Sequence, residues 1–274
     1  AAVDDHNPLC PGSKLADIHG TRYPIVQGPM ANVSDNADFA AAVLAAGGLP
    51  FLALGSLPAH LAENILTAGT EKVQRFGAGM IGIETFNQTI GAHLEAVKRH
   101  RVPFALFAGG LPAQVKELEA VGTKTYLHTP SASMLENALQ NGCRRFIFEG
   151  AEAGGHVGSL SSLVLWELGL EVLQRLPDDR LAEISVLFAG GIGTARAAHF
   201  VSGLASQLAG RGAAEGIQVG TAYLFTCEIV ETGAIKKVYQ DTVCRLNETI
   251  VMGTTVGLAS RTVATPFSRR MIEN

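Results

Sequence analysis

The sequence predicts a single (β/α)8 barrel, the TIM-barrel architecture, with short additions at both ends. Three observations favour this fold. Eight short apolar runs alternate with segments of helical pattern between residues 25 and 219. Most of these runs are continuously hydrophobic, as parallel strands buried on both faces are. The length of 274 residues and the hydrophobic content of 47% fit one barrel, and eight strand–helix units favour a closed barrel over an open doubly wound sheet.

Most of the predicted strands are followed by a helix. The strands are expected at residues 25–28, 49–54, 76–81, 104–107, 124–128, 145–149, 184–188 and 216–219. The helices are expected at residues 35–46, 58–67, 88–100, 112–120, 132–140, 161–175 and 194–209. Ser34 is the expected cap of the first helix. These bounds divide the chain into an N-terminal extension (1–23), the barrel (24–226) and a C-terminal helical or lid segment packed on the barrel (227–274).

Composition excludes several functional classes. A net charge of −4, without a cluster of Lys or Arg, gives no electrostatic footprint for nucleic acid. The sequence has no apolar run long enough to span a membrane and no secretory signal, so we expect a cytoplasmic protein. Four scattered cysteines without metal-ligand spacing indicate reduced thiols and no metal site. Because the chain begins at Ala1 instead of methionine, we interpret it as an excised domain or a trimmed fragment.

A TIM barrel carries its function where the strands end, and the predicted strand ends are rich in glycine and small polar residues. Glycine lets a ligand approach the backbone closely, and a purely structural barrel has no need of it there. These segments are 27–31, 77–79, 109–110, 128–131, 150–158, 189–193 and 220–221. The sequence therefore predicts an active site at this end of the barrel.

Two adjacent strand ends indicate a phosphate site. Gly190, Gly191, Ile192 and Gly193 precede a predicted helix, whose N-terminus and amides are suited to an anion. Gly220-Thr221 offers further amides and a hydroxyl. Each segment alone is more typical of a tight turn, but together they favour phosphate. Flavin mononucleotide, nucleotides and sugar phosphates all remain candidates on this pattern.

One histidine stands in the glycine-rich segment after the sixth strand. His156 follows Gly154-Gly155, and an imidazole there is suited to proton transfer because its ordinary pKa lies near working pH. Glu149 and Glu152 flank it and are expected either to orient it by a hydrogen bond or to cap the following turn. His128 and Ser131, after the fifth strand, are candidate substrate contacts, with a structural histidine as the alternative for His128.

Four motifs resemble those of the nitronate monooxygenase (2-nitropropane dioxygenase) superfamily, which also contains the FMN-dependent enoyl-acyl-carrier-protein reductases of bacteria. They are PIVQGPM at 24–30, EGAEAGGHVG at 149–158, FAGGI at 188–192 and GIQVGT at 216–221. The likeness runs in order along nearly the whole chain. It is specific to the superfamily and much less specific to either activity.

The resemblance implies FMN bound across the strand ends, with the redox chemistry supplied by the flavin. His156 matches the active-site histidine of the family. At Gly79 the family more often has asparagine, so one flavin contact is expected to be lost or replaced. The implied cofactor-binding residues are Gln27, Gly28, Pro29, Met30, Ala31, Gly79, Lys124, Glu152, Gly154, Gly155, Gly190, Gly191, Ile192, Gly193, Gly220 and Thr221.

Three functions follow from the resemblance. The first is reduction of an enoyl thioester of fatty acid or polyketide type through FMN by NADH or NADPH. The second is oxidation of nitronates or nitroalkanes by FMN and O2. The third is a non-catalytic docking barrel in a synthase. An excised domain favours the first, with a small or carrier-bound acyl substrate and other synthase domains as partners, and a homodimer is also considered.

Overall fold

The computed structural model describes residues 7–55, 57–253 and 259–273. Its centre is a closed barrel of eight parallel strands, β1 to β6, β8 and β9, in which the last strand pairs with the first. This confirms the predicted (β/α)8 fold, and the predicted strands agree with the observed ones within two residues at each end. The strands are β1 (Ile25–Gln27), β2 (Leu49–Gly55), β3 (Gly77–Ile81), β4 (Phe104–Ala108), β5 (Lys124–His128), β6 (Arg145–Glu149), β7 (Gly155–His156), β8 (Ser185–Ala189), β9 (Ala214–Val219), β10 (Thr249–Met252) and β11 (Ser260–Val263).

Helices follow most of the barrel strands and form the outer layer. All seven predicted helices are present, and the second extends five residues beyond its predicted end because Gly69 and Thr70 do not interrupt it. The helices are α1 (Lys14–His19), α2 (Ala37–Ala45), α3 (Ala59–Lys72), α4 (Ile90–Arg99), α5 (Pro112–Glu119), α6 (Ala132–Gln140), α7 (Ser162–Gln174), α8 (Asp178–Leu181), α9 (Ala195–Gly210), α10 (Glu228–Glu231), α11 (Lys237–Arg245) and α12 (Pro266–Glu273). Among the described residues, no helix is long and apolar enough to cross a membrane.

The barrel has two ends, which we call the upper rim, where the strands have their carboxyl ends, and the lower rim, where they begin. The short helix α1 closes the lower rim. Leu15 of α1 is fully buried with Phe104 and Tyr126 inside the barrel. The helix ends at Gly20 in the left-handed conformation (φ 63°), which favours glycine. The N-terminal extension is therefore part of the barrel's packing.

The C-terminal segment reaches back to the upper rim through a β-hairpin. β10 and β11 pair antiparallel, and β11 also pairs with β7, so that Ser260 lies opposite His156 and Arg261 opposite Gly155. Val157 N donates to Ala259 O at 2.9 Å. The segment expected to form helices or a lid thus also contributes β10 and β11 to a small three-stranded sheet with β7. Its β7 strand carries the candidate catalytic histidine.

Candidate active site

Glycines at the upper rim keep neighbouring segments in close contact. A Cβ atom on Gly28 would lie 3.0 Å from the side chain of Gln218, and one on Gly154 would lie 2.9 Å from Thr221 Oγ1. A Cβ on Gly220 would contact Met30 Sδ at 3.8 Å. The structure therefore brings together predicted site residues from the ends of β1, β6 and β9, which are far apart in the sequence.

Gly79 has a steric explanation. A Cβ atom at this position would lie 2.3 Å from the Cβ of Pro29, which is too close for any side chain without movement of one of them. Glycine at the end of β3 therefore lets Pro29 pack against that strand. The departure from the asparagine of the family is coupled to the position of Pro29, one of the residues expected to face the flavin.

The two loops expected to bind phosphate are rich in glycine, and each leads into a helix. Gly190 and Gly191 have φ of +100° and +74°, and a Cβ on Gly191 would lie 3.3 Å from Glu152 Cβ. The loop continues through buried Ile192 and exposed Gly193 into α9, where Thr194 Oγ1 accepts a hydrogen bond from Ala197 N. A short 3-10 helix begins at Thr221, directly after Gly220. The N-termini of both helices thus lie beside glycine-rich backbone, which is suited to an anion.

His156 is exposed, and its short strand is held by backbone pairing with β11 along one edge. Gly155 before it has φ of +79°. Arg261 of β11 donates from Nε to Ala151 O at 2.8 Å, and so ties the hairpin to the start of the same segment. The imidazole therefore projects from a short strand at the upper rim. This strand is not predicted from the glycine-rich sequence around His156, because its partner lies about a hundred residues further along the chain.

The two flanking glutamates contact other groups than His156. Glu152 Oε2 accepts hydrogen bonds from the backbone N and the Oγ of Ser162, at 2.7 and 2.5 Å, at the start of α7. Desolvation acts to raise the pKa of Glu152, but these hydrogen bonds outweigh it and lower the pKa. Of the two roles expected for Glu152, the structure supports the cap of the following helix.

Glu149 points into the barrel. Its Oε2 lies 3.3 Å from His128 Nδ1 and accepts a hydrogen bond from Gln218 Nε2 at 3.5 Å. Burial raises the pKa of Glu149 to about 8 and lowers the pKa of His128 to about 4. Sequence analysis did not select Gln218. The inward alternation of β9, in which Gly216, Gln218 and Gly220 share one face, was the available signal.

Lys124 does not lie at the glycine-rich upper rim, where the family resemblance implied a contact with the flavin. It begins β5 and therefore lies at the lower rim, where its Nζ donates to Ile18 O at 3.4 Å and lies 5.6 Å from the ring centre of Phe104. Desolvation, followed by the charges of Arg145 and Arg75, lowers its pKa. The length of β5 separates Lys124 from the glycine-rich rim, so its structural role is to hold the C-terminal end of α1.

Two further candidates, Gln27 and Ser131, use their polar side chains within the fold, and a third, Ala31, has no polar side chain. The side chain of Gln27 is buried, accepts from Phe51 N at 3.2 Å and donates to Gly28 O. Ser131 Oγ accepts from Met134 N at 3.3 Å and caps α6. Ala31 is exposed at the rim beside Met30. The roles of these three residues in binding remain predictions.

The upper rim fits FMN on two observations. Its glycines form a cradle in which added Cβ atoms would meet Gln218, Thr221 or Glu152. In addition, three buried polar atoms at or just below the rim have no hydrogen-bond partner among the described residues: His128 Nε2, Thr129 Oγ1 and Gln218 Oε1. Buried polar atoms are normally paired, so these atoms are suited to a polar ligand.

The fold and this rim define a TIM-barrel protein whose glycine-rich strand ends share one rim. The family model of nitronate monooxygenase matches residues 78–274. The chain belongs to the nitronate monooxygenase family, whose members are generally FMN enzymes, and it is an oxidoreductase.

Relatives and solved structures agree with this membership. FabK from Thermotoga maritima has 26% sequence identity and a TM-score of 0.78, over 95% of this chain and 77% of that chain. A nitroalkane oxidase from Streptomyces ansochromogenes shares the fold, with 22% identity and a TM-score of 0.75 over 94% of this chain and 81% of that one.

Curated relatives are named (3aS,4S,5R,7aS)-5-hydroxy-7a-methyl-1-oxo-octahydro-1H-indene-4-carboxyl-CoA dehydrogenase. The one from Mycobacterium tuberculosis is 27% identical over 259 residues, which is 94% of this chain and 67% of the relative. The one from Rhodococcus jostii is also 27% identical, and the chain spans 58% of its length. The chain is thus shorter than both.

Proposed function

We propose that this protein is an FMN-dependent oxidoreductase that reduces an enoyl thioester with NADH or NADPH. The observation that carries the proposal is the position of His156, which the β7–β11 pairing holds at the rim beside Gly154 and Thr221. An exposed imidazole next to a phosphate-binding cradle is placed to exchange a proton with a substrate on the flavin.

The relatives support a thioester as the substrate class. FabK is an enoyl-acyl-carrier-protein reductase, and the curated relatives are named as dehydrogenases of a carboxyl-CoA compound. Both descriptions concern redox chemistry beside an acyl thioester. We therefore propose an acyl thioester carried either by CoA or by an acyl carrier, with other domains of a synthase as partners in the second case.

The protein's own contribution to the reaction is the transfer of a proton. Bound FMN would supply the hydride chemistry between NAD(P)H and the β-carbon of the enoyl thioester. His156 donates the proton to the α-carbon, and its exposure to water allows the proton to be replaced. Each double bond reduced consumes one NAD(P)H and one proton, so electrons and atoms balance.

Replacing His156 tests its role. We expect His156→Ala to retain FMN and to lower turnover by about 10²- to 10⁴-fold, the usual contribution of a general acid. His60→Ala is the matched control, because His60 is also exposed but lies on the outer helix α3. Loss of FMN from the His156 variant, or an equal fall in turnover in both variants, would assign His156 a structural role.

Oxidation of nitronates is the second candidate, favoured by the family match and by an exposed imidazole that can also remove the α-proton of a nitroalkane. Anaerobic mixing separates the two functions. A reductase is bleached by NADH or NADPH and recovers its colour with an enoyl thioester. Bleaching by a nitronate but by neither nicotinamide would reverse the order of the candidates. A protein that binds no FMN would favour the docking barrel.

A further inference from the structure

A buried polar cluster lies inside the barrel just below the upper rim, and the proposed proton transfer does not use it. It consists of His128, Glu149 and Gln218, at the ends of β5, β6 and β9. Because β8 lies between β6 and β9, the contact of Gln218 with Glu149 crosses the barrel interior. The side chains of His128 and Glu149 are only 19% and 17% exposed.

Two atoms of this cluster are buried without a protein partner. His128 Nε2 and Gln218 Oε1 make no hydrogen bond to the described residues, although the other polar atom of each side chain contacts Glu149. Leaving a buried polar atom unpaired is unfavourable, because the atom loses its hydrogen bonds to water without gaining others. Two such atoms in one cluster are more consistent with a ligand that pairs them than with packing.

The cluster faces the rim segment expected to lie against the flavin. Gln218 packs directly under Gly28, where a Cβ atom would be 3.0 Å away, and Gly28 is followed by Pro29 and Met30. On the lower side, the interior is filled by buried Tyr126 and its apolar neighbours. A ligand that reaches the unpaired atoms therefore enters from the upper rim.

The protonation states of Glu149 and His128 determine which hydrogen-bond donors and acceptors the cluster presents to a ligand. Burial holds the carboxyl of Glu149 largely neutral at pH 7, with a pKa of about 8, and holds His128 neutral with a pKa of about 4. A carboxylic acid donates to Nδ1 of a neutral imidazole, which leaves the proton on Nε2. His128 then presents a donor and Gln218 Oε1 an acceptor. The imide edge of an isoalloxazine ring offers the complement, with carbonyls on both sides of an N–H.

We propose that His128 Nε2 donates to a carbonyl of the isoalloxazine ring of FMN, that Gln218 Oε1 accepts from its ring N–H, and that Glu149 is a positioning residue that sets the tautomer of His128. The inference rests on FMN binding as proposed above and is independent of the substrate. It also replaces Lys124 with His128 as the contact from β5.

The visible spectrum of the FMN-loaded protein tests this arrangement without turnover. Glu149 faces His128 from β5, Gln218 from β9 and apolar Ala189 from β8, so among the described contacts its ionisation acts chiefly on His128. Loss of the carboxyl proton moves the His128 proton to Nδ1 and turns Nε2 from donor to acceptor. We expect the flavin bands to shift in a one-proton transition near the pKa of about 8.

Variants make the test specific. Glu149→Gln keeps a donor to Nδ1 and cannot ionise, so its spectrum should match the low-pH wild-type spectrum at every pH. His128→Asn should lose the transition and bind FMN about tenfold more weakly, the loss of roughly one hydrogen bond. Glu215→Gln is the matched control, because burial also raises the pKa of Glu215 on β9 but it lies outside the cluster. This control should keep the transition.

The outcomes separate this inference from the proposed function. Wild-type protein that binds FMN with a pH-independent spectrum, or a Glu149→Gln variant that keeps the transition, would overturn the proposed contact while FMN binding stood. Wild-type protein that binds no FMN would overturn the proposed function itself.

Discussion

The two rims of the barrel differ in the hydrogen-bond partners of their polar groups. At the lower rim, α1 closes the barrel, and its last carbonyls are bound by Lys124 and Arg75. His19 Nε2 contacts Tyr126 OH at 2.7 Å in the interior. At the upper rim, glycines line the strand ends, and the polar atoms of His128 and Gln218 remain unpaired.

The difference separates stability from function within the same sheet. Unpaired buried atoms also occur at the lower rim, at His19 Nδ1 and Arg145 Nε, but a helix already fills that end. The upper rim carries the glycine-rich strand ends at which we propose that FMN binds. Changes at the lower rim should therefore alter unfolding, and changes at the upper rim should alter FMN binding.

The largest expected effect is at the lower rim. Leu15 is fully buried beneath the barrel, so Leu15→Ala should lower the free energy of unfolding by about 2–5 kcal/mol, from lost transfer energy and the cavity left behind. FMN affinity of the folded protein should not change. Denaturant unfolding and a flavin titration measure the two quantities. Leu111→Ala, at a 61% exposed position, is the control and should change neither.

An intermediate effect on stability is expected when the pH changes, because Glu149 at the upper rim titrates. The folded-state pKa of Glu149 is about 8, above its ordinary value of 4.5, so the folded state holds this proton more tightly. Stability from this group is fully present below about pH 4.5 and is lost as the pH rises through about 8. Glu149→Gln should therefore be more stable than wild type at pH 9, by an amount that shrinks towards pH 5. A constant difference at both pH values would contradict this.

The smallest effect on stability is expected from alanine substitution at either of two glycines in the left-handed conformation. Gly190 at the upper rim has φ of +100°, and Gly142, before β6 at the lower rim, has φ of +84°. Alanine at either position should cost about 1–2 kcal/mol of backbone strain. Only at Gly190 does the new Cβ meet another group, at 2.4 Å from Ser162 Oγ, whereas at Gly142 nothing lies within 4 Å. Gly190→Ala alone should also weaken FMN binding, as measured by flavin fluorescence.

The sequence predicts the barrel and most of the upper rim because strands, helices and glycine turns leave local patterns. The eight apolar runs and the glycine-rich ends at 28, 154, 190 and 220 are of this kind. The sequence also predicts at which rim a residue lies, because all parallel strands begin at one end of the barrel and end at the other. By that rule Lys124 belongs to the lower rim, and the motif match alone placed it wrongly.

Other parts depend on contacts between distant residues. The pairing of β7 with β11 joins residue 156 to residue 260, and no local sequence pattern predicts this pairing. Helix α1 is only six residues long, so its hydrophobic face is too short to stand out. The His128–Glu149–Gln218 cluster exists only when β5, β6 and β9 close around a common interior.

Hydrogen–deuterium exchange with and without FMN tests the contrast between the rims most directly. The account predicts slower exchange on FMN binding in the upper-rim segments 28–31, 150–158, 190–194 and 220–222. Exchange in the lower-rim segments 14–20, 122–125 and 142–145 should stay the same. Protection centred on α1 and Lys124, or FMN binding without protection at the glycine-rich rim, would contradict the account.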